Sequence, residues 1–109
     1  MDAKTGRSAD IAAIPIAAGS WRKTIVWGEH TLVSEVTLDR GGIVPLHSHP
    51  HEQTGYVVSG AIEFTLGERA VMIRAGEGYV IPGNLPHACL AIEPSVAIDV
   101  FSPARDEYK

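Results

Sequence analysis

Turn-forming residues punctuate this chain so often that no long helix fits between them. Gly41-Gly42, Pro45, Pro50, Ser59-Gly60, Gly67, Gly76, Gly78, Pro82-Gly83-Asn84, Pro86, Pro94 and Pro103 leave intervals about as long as single strands. Within them, apolar and polar residues alternate. Leu32, Val36 and Leu38 share one parity against Glu35 and Thr37. Ile62, Phe64 and Leu66 oppose Glu63 and Thr65, and Val96, Ile98 and Val100 oppose Ala97, Asp99 and Phe101. A period of two marks strands whose faces meet different surroundings, and no window carries an apolar stripe at helical spacing. The pattern predicts an all-β chain of about eight to ten strands. Its sheet edges must be closed or covered, as in a barrel or a double-sheet jelly roll.

The length, 109 residues, suits one domain. Residues 1–20, rich in small side chains and without a clean period, read as an N-terminal arm or first strand, and 21–109 as the barrel with a C-terminal tail. A net charge of -4 without a basic stripe speaks against a nucleic-acid partner. No apolar stretch is long enough to cross a bilayer, so no membrane partner is expected. Lys4 and Arg7 precede the apolar run 11–18 in the manner of a leader peptide, but Asp10, Pro15 and four alanines interrupt that pattern. A single cysteine, Cys89, cannot form an internal disulfide. A cytoplasmic location is therefore expected. So is a homodimer, because so short a β-rich chain has edges to cover.

The chemistry is concentrated in two segments. Gly41–Gly60 reads GGIVPLHSHPHEQTGYVVSG, and Gly76–His87 reads GEGYVIPGNLPH; together they hold four of the five histidines. His47 and His49 are two apart, so on a strand they would face the same way, and Gln53 shares their parity if the turn at Pro50 keeps the pleat in phase. Imidazoles are common metal ligands near neutral pH, and an amide oxygen can add another. His87 is the fourth candidate. Glu52 is the rival to Gln53, on the opposite parity. His51 reads as a loop or rim residue and His30 as a surface or capping residue. Trp21, Trp27 and Tyr79 read as core or dimer contacts. Parity leaves open whether Tyr56 reaches the pocket mouth, and whether Cys89, which shares the parity of His87, faces the lumen or is a small core residue.

These segments resemble the two motifs of the cupin superfamily, G-x5-H-x-H-x3,4-E-x6-G and G-x5-P-x-G-x2-H-x3-N. Gly41, His47, His49 and Gly60 fall in register with the first, with Gln53 where that family has Glu. Gly76, Pro82 and His87 match the second, with Asn84 in place of Gly and Ala91 in place of Asn; fifteen residues separate Gly60 from Gly76. The resemblance implies a double-stranded β-helix, the cupin jelly-roll barrel. It also implies one divalent metal ion (manganese, iron, cobalt, nickel or zinc) near an open end, held by His47, His49, Gln53 and His87. Four neutral ligands leave the ion its full charge, which favours an anionic substrate and Lewis-acid chemistry over dioxygenase chemistry.

The tail Val96–Tyr108, VAIDVFSPARDEY, adds a resemblance to small single-domain cupins of the KdgF type. These convert a 4,5-unsaturated monouronate from its ring form to the linear keto acid during pectin and alginate breakdown. That resemblance implies that Asp99, Phe101 and Arg105 line the site. Arg105 has the planar fork that suits a carboxylate, Asp99 could move a proton, and Phe101 would wall the sugar ring. Three functions remain in view: a sugar-acid tautomerase or ring-opening enzyme, a metal-dependent dioxygenase or other oxidoreductase, and a cupin that only binds a small molecule. Asp99 paired with Arg105 would also serve as a purely structural acid.

Overall fold

The structure, a computed structural model, describes residues 1–109. Ten strands follow one another: β1 (Ile14–Ala17), β2 (Ser20–Trp27), β3 (Leu32–Leu38), β4 (Ile43–His47), β5 (Glu52–Ser59), β6 (Ala61–Leu66), β7 (Arg69–Arg74), β8 (Gly78–Ile81), β9 (His87–Ala91) and β10 (Ser95–Ser102). Two short 3-10 turns, Ser8–Asp10 and Asp106–Tyr108, flank them. β1 pairs with β2, so the sheet begins at Ile14, inside the segment that reads as an arm or first strand. No helix is long and apolar enough to cross a membrane.

The strands form two antiparallel sheets, one of six in the order β1-β2-β3-β10-β5-β8 and one of four in the order β4-β9-β6-β7. Facing sheets can bury one side each, which is the two-layer solution that alternating strands require. The seam is Leu38, Val57, Ile62, Phe64, Ile73, Ala91 and Ala97. Each large member stabilises the fold by roughly 1.5–3 kcal/mol through burial. Leu32, Phe101 and Ala104, with Tyr108 packed on them, form a second cluster.

The parity of β10 decides what the cavity contains. Ala97, Asp99 and Phe101 are buried, while the β-branched set Val96, Ile98 and Val100 is only half-buried on the outer face. The face with less hydrocarbon is thus the inner one, because it carries a methyl and a carboxyl beside its one aromatic ring. β5 must also cross from one sheet to β6 in the other at Gly60, where φ is +89° and a Cβ would lie 2.2 Å from Ser95 Oγ. Only glycine suits that corner.

Candidate metal centre and active site

β4 carries His47 to its last position, and β9 begins on His87; the two are register partners across the four-stranded sheet. His49 lies beyond the end of β4, so its placement is not a matter of strand parity. Loop contacts aim it instead. The N–H of Asn84 donates to the carbonyl of His49 at 2.7 Å, and Gly83 packs so closely on Pro50 that a Cβ would sit 2.4 Å from its carbonyl oxygen. The second motif segment therefore clamps the first. Asn84 has φ +69°, a left-handed conformation that asparagine tolerates better than most residues. This accounts for its presence where glycine would be expected.

The ligand atoms of His47, His49 and His87 all lie within 4.8 Å of one another, so the three histidines are positioned to bind a metal ion. Each ring turns its other nitrogen to a backbone carbonyl: His47 Nδ1 to Pro45 at 2.8 Å, His49 Nδ1 to His51 at 3.1 Å and His87 Nδ1 to Leu85 at 2.8 Å. A carbonyl only accepts, so each Nδ1 carries the proton and each Nε2 offers a lone pair to the centre. His87 Nε2 is buried with no hydrogen-bond partner. An orphaned lone pair among three convergent imidazoles fits a divalent cation. Gln53 sits beside them on the inner face of β5, its Oε1 3.1 Å from His49 Nε2. Glu52 is exposed on the opposite face.

Burial also favours the neutral form of His49 and His87. It lowers the pKa of His87 to about 4 and, with the repulsion of Arg105 as a second cause, lowers that of His49. The unfolded chain therefore binds more protons than the folded one below the ordinary histidine value of 6.5. The contribution of His49 and His87 to the stability of the metal-free protein is expected to be full above that value and to fall as pH drops from 6.5 toward 4. Urea titrations at stepped pH check this, and His87→Gln should flatten the slope.

The cavity below the histidines is lined mostly by hydrophobic side chains, with Gln53, Tyr79, Asp99 and Arg105 among its polar members. Asp99 is buried, and its Oδ1 accepts from Tyr79 Oη at 2.6 Å. Burial outweighs the pull of Tyr79 and the nearby Gln53 amide toward the charged form and pushes the carboxyl above its usual range. Phe101 meets the His49 ring edge-on at 5.5 Å. Arg105 stacks over Tyr108 at 4.0 Å, lies 5.2 Å from the centre of Phe101 and bonds Glu107 through Nε at 2.7 Å. No hydrogen bond engages its terminal nitrogens, and the residue lines the cavity.

The sequence-derived set His47, His49, Gln53, His87, Asp99, Phe101 and Arg105 is thus brought to one cavity or its rim. His51 stands at the rim, its ring 5.5 Å from that of His49. Cys89 lines the cavity, and burial pushes its thiol up so that it stays protonated. His30 is exposed beside Glu29, and Tyr56 is half-exposed on the outer face, away from the pocket. Sequence reasoning missed Tyr79 and Tyr108 as cavity residues. The parity of Tyr79 with the buried Ile81 was the available signal for the first; the tail offers no period to read.

Residues 34–101 match the cupin domain family, and both motif segments lie inside that span. The chain is a cupin. Among curated proteins, the germin-like protein subfamily 3 member 4 of Arabidopsis thaliana is 31% identical over 78 residues, 64% of this chain. This cupin spans 37% of that relative's length. Among solved structures, KdgF from Halomonas sp. superposes with a TM-score of 0.92 at 31% identity, covering 99% of this chain and 100% of the other. An RmlC-like cupin from Shewanella frigidimarina gives 0.90 at 22% identity over 99% and 97%, which speaks to the fold alone.

Proposed function

We propose that this cupin is a metal-dependent enzyme that opens the ring of a 4,5-unsaturated uronate and releases the linear keto acid. The observation that carries the reading is a buried carboxyl, Asp99, set in one cavity with a three-histidine centre and an arginine, in a chain similar throughout its length to a KdgF. His47, His49, His87 and the Gln53 oxygen would hold the ion. When bound, it would supply Lewis-acid polarisation of substrate oxygens.

The protein's own groups account for the rest. Arg105 binds the substrate carboxylate with its free terminal nitrogens, since Nε is taken by Glu107. Phe101 and the apolar lining hold the ring and exclude water. Asp99, whose carboxyl burial makes harder to ionise, delivers its proton to C4 of the substrate. The C4–C5 double bond becomes a C4–H bond, C5 becomes the ketone, and the bond from ring oxygen to the anomeric carbon breaks. The anomeric hydroxyl becomes an aldehyde and returns its proton to Asp99. Atoms and charge balance, so no oxidant is required.

Loss of the conjugated-acid ultraviolet absorbance of unsaturated galacturonate or mannuronate tests the reading. Metal-loaded protein is expected to accelerate it by roughly a hundredfold or more at micromolar enzyme. A rate equal to the uncatalysed one would exclude the assignment, and oxygen uptake with other substrates would favour a dioxygenase in its place.

A further inference from the structure

Asp99 does not stand alone in the sheet. Ser34, Asp99, Gly55 and Tyr79 are successive register partners across β3, β10, β5 and β8, one transverse row on the inner face. One whole strand, β5, separates Tyr79 from Asp99 along that row, yet the phenol reaches the carboxyl. It does so by lying directly over Gly55. A Cβ at Gly55 would fall 2.1 Å from Tyr79 Cζ and 2.3 Å from its Oη. No residue with a side chain can occupy position 55 while the ring keeps this course. The far side of the ring rests on Phe64, 4.5 Å between centroids, so the phenol is held from both sides.

We propose that Tyr79, laid across Gly55, is the positioning residue of this site and sets the direction in which the Asp99 carboxyl faces the cavity. The inference rests on the catalytic reading of Asp99. The hydrogen bond occupies Oδ1, which fixes the rotamer and leaves the other oxygen to the Gln53 side and the substrate. The glycine is then part of the site although it touches no substrate. A misdirected proton donor loses rate steeply while binding through Arg105 and the histidines is untouched.

The test uses zinc-loaded protein labelled at the aspartate carboxyl carbon, with Tyr79→Phe, Gly55→Ala and the double variant. The Asp99 resonance, identified by its absence in Asp99→Asn, is expected to shift in both single variants while those of Asp2, Asp10, Asp39 and Asp106 stay. On the uronate, kcat is expected to fall roughly ten- to hundredfold in Tyr79→Phe with KM changed by less than about twofold. Gly55→Ala should cost no further kcat in the Tyr79→Phe background, because the hydrogen bond it would break is already gone; a merely structural contact would lower the melting temperature and leave kcat in place. An unmoved Asp99 signal in Tyr79→Phe would overturn the proposal, and so would a moved signal with kcat unchanged. Should wild-type protein leave the uronate untouched, the functional reading falls, and the carboxyl signal still decides whether Tyr79 directs Asp99.

Discussion

Replacing His87 by alanine is expected to abolish metal binding and, with it, the rise in melting temperature that added metal gives the wild-type protein. His87 is the one imidazole contributed by the distant segment; His47 and His49 are neighbours in the chain and alone would grip an ion from one side. Its Nδ1 is already committed to the Leu85 carbonyl, and its buried Nε2 has no other partner. In metal-free protein that orphan nitrogen costs roughly 1–3 kcal/mol, so its removal should offset much of the packing lost with the ring. In metal-loaded protein nothing offsets the loss. Zinc at about a hundred times its dissociation constant should stabilise wild type by roughly 2.7 kcal/mol, which is on the order of ten degrees for a domain of this size. His87→Ala should show almost no shift. Calorimetry with and without metal, alongside elemental analysis, reads both quantities. A full shift in the variant would mean that the ion settles elsewhere.

The parts of this site that were legible in the sequence are those set by local rules. Strand parity placed Asp99 and Phe101 on one inner face and sent Glu52 outward while Gln53 turned in. That held even though the inner face of β10 is its less apolar one, because parity reports geometry and not hydrophobicity. Parity also brought His47 and His49 together, but for a reason that does not apply: His49 lies in the loop after β4, aimed by the bond from Asn84 and the fit of Gly83 against Pro50. Contacts between the two motif segments have no signature in either segment alone. In sequence Tyr79 reads as a core or dimer contact, because its reach to Asp99 depends on sheet order. β10 inserts between β3 and β5, and only then does β8 stand two strands from Asp99 with a glycine between. In sequence Gly55 is an ordinary weak-strand residue. The two guanidinium groups on Tyr108, Arg105 at 4.0 Å and Arg22 at 3.9 Å, likewise depend on the tail folding back over β2, where Thr24 donates to the Tyr108 carbonyl.

Asp99→Asn is expected to remove roughly two to four orders of magnitude from kcat while the protein keeps its metal and becomes relatively more stable as pH rises. Asparagine fills the same volume and can still accept from Tyr79 Oη, so packing is preserved. What it lacks is a proton to give to carbon and a carboxylate to receive one back. The stability argument has a definite sign. Burial raises the folded-state pKa of Asp99 above its ordinary 3.8, so the folded chain holds this proton more tightly than the unfolded one. Its contribution is greatest below 3.8 and is lost as pH rises through the folded value. The replacement amide does not titrate. The difference in melting temperature between variant and wild type should therefore move in favour of the variant between 3.8 and the folded pKa. Burial would cost a purely structural acid the same stability, so turnover, and not the pH dependence of stability, separates a proton donor from a structural acid. Unchanged turnover in Asp99→Asn, with metal still bound, would assign Asp99 to the structural role and move the search for the proton donor to Tyr79 and the rim residue His51.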